Sequence, residues 1–174
     1  MRVHRAPRHP WLVGSVALGG SLAAVAVVLV YTSAAMTPRQ SAAAMDPVLG
    51  GGPGCEAMRT GQLVRGNGTG STASGPEVIL AFQHAYYVAR SGTSARALTA
   101  PDAAVPPAEV IDKGITSIPA GTQHCVMITP MLDGRFDVVI SEMRPDAAAR
   151  TYRQFVTVAD RDGAVLITRI AAPS

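Results

Sequence analysis

The longest apolar run in the chain covers residues 11–31, WLVGSVALGGSLAAVAVVLVY, and contains no charged residue. An α-helix of this length spans about 30 Å, which is the thickness of the hydrocarbon core of a bilayer. Trp11 and Tyr31 bracket the run, as amphipathic aromatic residues do at the two membrane interfaces. The pattern therefore predicts a transmembrane helix over residues 11–31, with the lipid bilayer as its partner.

The charges before this run predict its orientation. Three arginines precede it with no acidic residue among them: Arg2, Arg5 and Arg8. The positive-inside rule places residues 1–10 in the cytoplasm as a short tail and sends the chain after Tyr31 out of the cytoplasm. The sequence thus predicts a single-pass protein of the cell membrane with an extracytoplasmic C-terminal domain.

A cleaved signal peptide is the alternative interpretation of the same run. Residues 33–35 and 42–44 offer small side chains in the arrangement that a signal peptidase accepts. The apolar region of a signal peptide has about 7–15 residues, and this run is longer, which favours an uncleaved signal anchor.

Residues 32–54 contain few β-branched or aromatic residues and end in a Gly/Pro cluster, a composition that predicts a flexible linker. The folded domain is expected over residues 55–174. Near its start, residues 66–71 read GNGTGS but lack both the dinucleotide-binding and the P-loop motif. We expect a flexible surface loop there.

Apolar spacing predicts three helices in the first half of this domain. Ser74, Pro76 and Glu77 fit a capping box, and apolar residues then recur at helical spacing until Gly92. Two short helices are expected to follow, over Ser94–Thr99 and Pro107–Lys113.

The pattern changes to a period of two in the second half, which predicts strands. Four runs alternate apolar and polar residues between turn signals: residues 124–129, 135–143, 151–158 and 165–170. Short turns make neighbouring strands antiparallel, so these runs predict a four-stranded meander. Helices followed by a meander predict an α+β fold with the helices on one face of the sheet.

This order of elements resembles the nuclear-transport-factor-2-like, cystatin-like cone fold. The stretches AFQHAYYVARSG, GITSIPAGTQHCV and AVLITRI are similar to an actinobacterial family of small membrane-anchored proteins whose domain has no assigned function. The resemblance covers residues 55–172. It implies a long helix and two short helices packed on a four-stranded antiparallel meander.

Charge argues against a nucleic-acid partner. The net charge is +3, and the three arginines of the N-terminal tail account for it, so the exported part is neutral. No basic patch remains outside the tail to bind a phosphate backbone.

The two cysteines, Cys55 and Cys125, both fall in the exported part. In an oxidising compartment two such cysteines form a disulfide by default. An activated thiol beside His124 is disfavoured, because neighbouring residues of a strand point to opposite faces.

A cone fold holds a pocket between its helix and its sheet, and the resemblance places Phe82, Tyr86, Asp137 and Gln154 in it. His84 and Tyr87 are expected on the solvated face of the helix. His84 and His124 have no ligand-spaced partners for a metal, and no Gly-x-Ser-x-Gly turn is present. We therefore expect no catalytic residue, no cofactor, no metal and no enzymatic activity.

Two hypotheses for function remain. The first is an interaction or assembly module of an envelope complex, such as a secretion or conjugative transfer apparatus, that docks with other envelope proteins. A second copy of the chain is a further candidate partner, through the small residues Ser15, Gly19 and Ala23 of the apolar run. The alternative is a cone-fold domain that binds, or isomerises, a small apolar ligand.

Overall fold

The computed structural model describes residues 46–145 and 147–173. The predicted cytoplasmic tail, the transmembrane helix over residues 11–31 and the linker up to residue 45 lie outside the described residues. Within those two ranges, every helix is too short or too polar to cross a membrane.

The described residues form three helices and seven strands. The helices are α1 (Gly75–Tyr87), α2 (Gly92–Arg96) and α3 (Ala108–Thr116). The strands are β1 (Met58–Arg59), β2 (Val64–Gly66), β3 (Thr99–Ala104), β4 (Gln123–Pro130), β5 (Arg135–Met143), β6 (Arg150–Arg161) and β7 (Ala164–Ala171).

All seven strands join one mixed sheet in the order β1-β2-β4-β5-β6-β7-β3. Strand β3 runs parallel to β7, and the other neighbours are antiparallel. The four strands predicted by alternation are present as β4 to β7 and pair in chain order. Strand β5 has the bounds that its sequence pattern indicates.

The predicted fold class is nevertheless wrong. In place of a cone with a long helix and a four-stranded meander, the domain is mostly sheet, with seven strands and short helices. Strands β1 and β2 are too short for their alternation to be recognised in the sequence. Strand β3 begins at Thr99, where a helix was expected to end, and contains Pro101. Proline is tolerated there because β3 is an edge strand.

Helix α1 begins where the sequence predicts, but without the predicted capping box. Ser74 is the N-cap residue, and its side chain makes no capping hydrogen bond. Glu77 instead accepts hydrogen bonds from Ser71 Oγ and from Arg59 Nη2. Proline in the first turn and an acidic residue there still favour a helix start at this position.

The core lies between α1 and the sheet. Helix α1 is buried on nearly every side, and its most deeply buried residues are Val78, Ile79 and Leu80. The sheet meets it with fully buried branched side chains: Val126, Ile128, Val138, Val156 and Ile167. A helix buried on so many sides requires a second cover opposite the sheet.

Residues 66–71 supply part of that cover, so the predicted flexible loop is wrong. Gly70 lies against the backbone of Ala81 in α1, where a Cβ atom would collide. The backbone N–H groups of Asn67 and Gly68 both donate to Leu49 O, at 2.9 Å each. Leu49 itself is buried in the core, so the packed domain extends into residues assigned to the linker.

The predicted disulfide between Cys55 and Cys125 is confirmed. Their Cα atoms lie 5.4 Å apart across a separation of 70 residues. In the chain-entropy account, closing a loop of this length stabilises the folded state by about 4 kcal/mol. The bond ties the segment before β1 to the central part of the sheet.

Candidate functional site

A cavity of about 490 Å³ lies between α1, α3 and the sheet. One wall is apolar and comes from α3 and the residues around it: Val105, Pro106, Val110, Ile111 and Ile118. The sheet wall is more polar and comprises Ile140, Glu142, Arg144, Tyr152, Gln154 and Ile170. Helix α1 supplies Phe82, Gln83, Tyr86 and Tyr87. The site therefore has an apolar side and a polar side.

Strand alternation decides which sheet residues reach the cavity. In the antiparallel register of β5 and β6, Ile140 pairs with Tyr152 and Val138 pairs with Gln154. Every second residue of each strand shares this face, so Glu142 continues the row from Ile140. On α1, Phe82 and Tyr86 are four residues apart and lie on the same side of the helix.

Tyr86 reaches across the cavity to α3. A Cβ atom built on Gly114 would lie 2.6 Å from the Tyr86 hydroxyl oxygen, so any other residue there would displace that hydroxyl. Burial, together with the nearby Glu142 carboxylate, raises the pKa of Tyr86 above its ordinary value. The hydroxyl is therefore protonated at neutral pH and is available as a hydrogen-bonding group.

Glu142 is a buried carboxylate whose two oxygens are both engaged. Only 3% of the residue is exposed. Tyr87 Oη donates to Oε1 at 2.7 Å, and Arg144 donates to Oε2 from Nε at 2.8 Å. Such partners are what a buried charge requires. Burial, followed by the hydrogen bond to Glu142, raises the pKa of Tyr87, and the hydrogen bond to Glu142 raises the pKa of Arg144.

His124 lies behind Tyr87, and the two rings stack with centroids 4.5 Å apart. The residue is 4% exposed, and its Nε2 atom has no hydrogen-bond partner among the described residues. Burial, assisted by the nearby His84, lowers the pKa of His124 to about 4. The ring is thus a neutral imidazole at physiological pH.

A second, smaller cavity of about 340 Å³ lies beside His84 and His124, with Asn67 and Thr69 on its rim. Within the two described ranges, no group of three or more His, Cys, Asp or Glu side chains is arranged to hold a metal ion. The wall of this smaller cavity offers the two imidazoles and neutral polar groups, so it has fewer hydrogen-bonding groups than the wall of the larger cavity.

Comparison with known families identifies the domain. A family model described as "Domain of unknown function (DUF8176)" matches residues 52–171, which is more than half of the chain. The chain belongs to this family. It matches no curated protein and no solved structure. The matched range contains every residue that lines the larger cavity.

The DUF8176 domain brings together three of the four pocket residues named from the sequence. Phe82, Tyr86 and Gln154 all line the larger cavity. Asp137 lies on the opposite face of the sheet, where Arg153 donates to its two carboxylate oxygens from Nε and Nη2, each at 2.8 Å. The reason is alternation, since its neighbour Val138 points into the core.

Sequence reasoning missed three of the polar groups at the site. Tyr87 was expected on a solvated face, but it is only 9% exposed, because its ring stacks on His124 of β4 and its hydroxyl reaches Glu142 of β5. Arg144 follows β5 and carried no sequence signal. Glu142 did carry one, because it continues the inward row that begins with Val138 and Ile140. A carboxylate in such a row indicates a buried charge with partners.

Proposed function

We propose that the DUF8176 domain binds a small molecule with an apolar body in the cavity between α1, α3 and the sheet. The observation that carries this proposal is the cavity itself. Its volume of about 490 Å³ falls in the range of small-molecule sites, which is about 300–1,000 Å³. Its mixture of apolar walls and a few polar groups is also typical of such sites.

The cavity has a cost that a purely structural domain would avoid. Apolar side chains that line a cavity open to solvent stay in contact with water, and burying them would stabilise the fold. Val110 remains 48% exposed at the apolar wall, although it lies on the helix that closes the cavity. A ligand that packs against this wall would remove that apolar surface from water.

Binding is favoured over catalysis by how the polar groups are engaged. The Glu142 carboxylate already accepts from Tyr87 and Arg144, so neither of its oxygens is free to remove a proton from a ligand. The Tyr87 hydroxyl is committed to that carboxylate. These groups form a fixed polar wall, which suits recognition of a ligand without chemical change.

Photoaffinity labelling of the full chain tests this proposal. The probe is dodecan-1-ol that carries a diazirine in its alkyl chain, and labelled peptides are mapped by mass spectrometry. We expect labelling in residues 105–118 that excess dodecan-1-ol abolishes. Labelling confined to residues outside the cavity walls would contradict the proposal.

A matched pair of variants controls for general hydrophobicity. Val110→Trp places a large side chain at the cavity wall and should reduce labelling of residues 105–118 at least tenfold. Met131→Trp adds the same side chain at a position of similar exposure, 41%, in the turn after β4, and should leave that labelling unchanged.

A second function is favoured by a different surface. Met127, Met131 and Leu132 are 40%, 41% and 79% exposed along β4 and its following turn. Exposed apolar side chains of this kind support the predicted docking with other envelope proteins. Leu132→Asp should remove crosslinks to such partners in intact cells, whereas an unchanged crosslinking pattern would contradict this role for the turn.

The predicted location outside the cytoplasm belongs to the same proposal. The Cys55–Cys125 disulfide supports it, because disulfides persist in oxidising compartments. A C-terminal reporter that is active only outside the cytoplasm tests it directly. An inactive reporter of this kind, together with activity of a second C-terminal reporter that works only in the cytoplasm, would contradict both the location and the orientation predicted for residues 11–31.

A further inference from the structure

The polar end of the larger cavity presents hydrogen-bond donors. Arg144 uses Nε and Nη2 towards Glu142 and Tyr152, while its Nη1 group makes no hydrogen bond within the described ranges. The Tyr152 hydroxyl accepts from Arg144 Nη2 at 3.4 Å and therefore keeps its own O–H to donate. Gln154 adds an amide on the same strand face.

The only carboxylate among the described cavity-lining residues is not a competing acceptor. Both oxygens of Glu142 are engaged, and Arg144 compensates its charge at an N–O distance of 2.8 Å. The remaining donors of Arg144, Tyr152 and Gln154, which all line the cavity, have no protein acceptor among the described residues.

Two more arginines make the surroundings of this end positive. Arg150 lies directly opposite Glu142 in the register of β5 and β6. Arg90 donates to Ile115 O at 2.8 Å and to Ile118 O at 3.0 Å, next to the cavity wall. Arg144 lines the cavity and the other two arginines lie near it, whereas Glu142 is the one carboxylate among the described lining residues, a local balance that favours an anion.

We propose that the ligand is an amphiphile with one anionic head group, which accepts hydrogen bonds from Arg144, Tyr152 and Gln154. Its alkyl body lies along the apolar wall formed by α3. Carboxylate and phosphate share the required chemistry, since both accept charge-assisted hydrogen bonds from a guanidinium group. This inference rests on the proposed function, because it assigns the ligand class of the same cavity.

Competition against the photoaffinity probe tests the head group. Dodecanoate, dodecyl phosphate and dodecan-1-ol have the same alkyl length and are compared for displacement of the probe from residues 105–118 of the full chain. We expect at least one anionic competitor to act at concentrations about tenfold lower than the alcohol, as hydrogen bonds to a charged group imply. The ratio between the two anions identifies the preferred head group.

Variants assign this preference to the proposed donors. Arg144→Gln and Tyr152→Phe should each reduce the ratio between anion and alcohol several-fold. Tyr152→Phe is included because it leaves the partner of Glu142 in place, so it tests the head group without exposing a buried charge. Arg153→Gln removes an arginine from a carboxylate pair on the opposite face and should keep the ratio unchanged.

The outcomes separate the two proposals. Equal displacement by all three competitors, or a ratio that Arg144→Gln and Tyr152→Phe leave unchanged, would overturn the anionic head group while the cavity remains a binding site. Absence of any displaceable label in residues 105–118 would overturn the binding site itself, and the ligand class with it.

Discussion

Strand β5 carries one carboxylate on each face of the sheet, and each carboxylate pairs with an arginine. The two pairs have the same chemistry but differ in exposure and in their further partners. On the outer face, the Asp137 and Arg153 side chains are 22% and 55% exposed and meet in a two-pronged geometry. On the inner face, Glu142 and Arg144 are 3% and 15% exposed, with Tyr87 as a third member. Solvent screens the first pair and is excluded from most of the second.

This difference in exposure predicts which of the two pairs contributes more to stability. Ion pairs in water contribute little to stability, because hydration of the separated charges offsets their attraction. Removing one partner from a buried pair is costly, because the remaining polar groups lose their compensation. The inner pair also borders the cavity, so a change in this pair should affect both the stability of the domain and the proposed binding site.

The largest effect is expected from Glu142→Ala. This change leaves the buried Tyr87 hydroxyl without its acceptor and Arg144 without its counter-charge, and it should lower the free energy of unfolding by about 4 kcal/mol. Urea unfolding followed by circular dichroism measures it. A loss as small as that of Asp137→Ala would show that the two pairs are equivalent.

The second-largest effect on stability is expected from acidification, through His124 on the inner side of the sheet. Its pKa of about 4 in the folded state lies below its ordinary value of 6.5. The unfolded chain therefore takes up a proton first as the pH falls. The neutral ring of His124 therefore contributes about 3 kcal/mol to the free energy of unfolding. This contribution is fully present above pH 6.5 and is lost as the pH falls from about 6.5 to about 4.

Two variants separate His124 from the other groups that titrate in acid. His124→Phe keeps an aromatic ring against Tyr87 and should remove this part of the pH dependence, while His84→Gln should retain most of it, because burial is the main cause of the lowered pKa of His124. Unfolding free energies measured from pH 7 to pH 4.5 provide the comparison. Parallel curves for wild type and His124→Phe would contradict the assignment.

A smaller effect is expected from Tyr87→Phe, which deletes one hydroxyl and keeps the ring stacked on His124. Loss of a hydrogen bond to a buried charged group should lower the free energy of unfolding by about 2 kcal/mol. Tyr152→Phe is the matched control, because the Tyr152 residue is 41% exposed and its hydroxyl contacts only Arg144 among the described residues. Equal losses in the two variants would contradict the special role of the inner pair.

The smallest effect is expected on the outer face. Asp137→Asn removes a carboxylate whose pKa lies below its usual range because Arg153 donates hydrogen bonds to it. Because this pair is largely solvated, stability should change little, and the change should decrease further as salt is added. A loss that approaches that of Glu142→Ala would contradict the comparison.

The same two pairs show how far the sequence predicts this molecule. Alternation through Phe136, Val138 and Ile140 predicts β5 and its inward face, and the same rule applied to Asp137 places that residue outside. Its assignment to the pocket came from the family resemblance and disagreed with the alternation. If the inward row is continued by two residues beyond Ile140, the same rule places Glu142 on the inner face.

Other features depended on contacts that no local pattern contains. Strands β1 and β2 are too short to show a period, and β3 joins the sheet next to β7, far along the chain. The burial of Tyr87 depends on its contacts with His124 in β4 and Glu142 in β5, which lie far from it in the sequence. The glycine content of residues 66–71 predicted a loop free in solvent, but Gly70 packs against Ala81 of α1. The cavity follows from the placement of α3, and the sequence of α3 predicts only its helical character.

A structure of the full chain crystallised with dodecanoate tests the central claim most directly. We predict that the alkyl chain lies between α1 and α3 and that a carboxylate oxygen lies within about 3 Å of an Arg144 nitrogen. An empty cavity at saturating dodecanoate, or a ligand bound only elsewhere on the chain, would contradict the account.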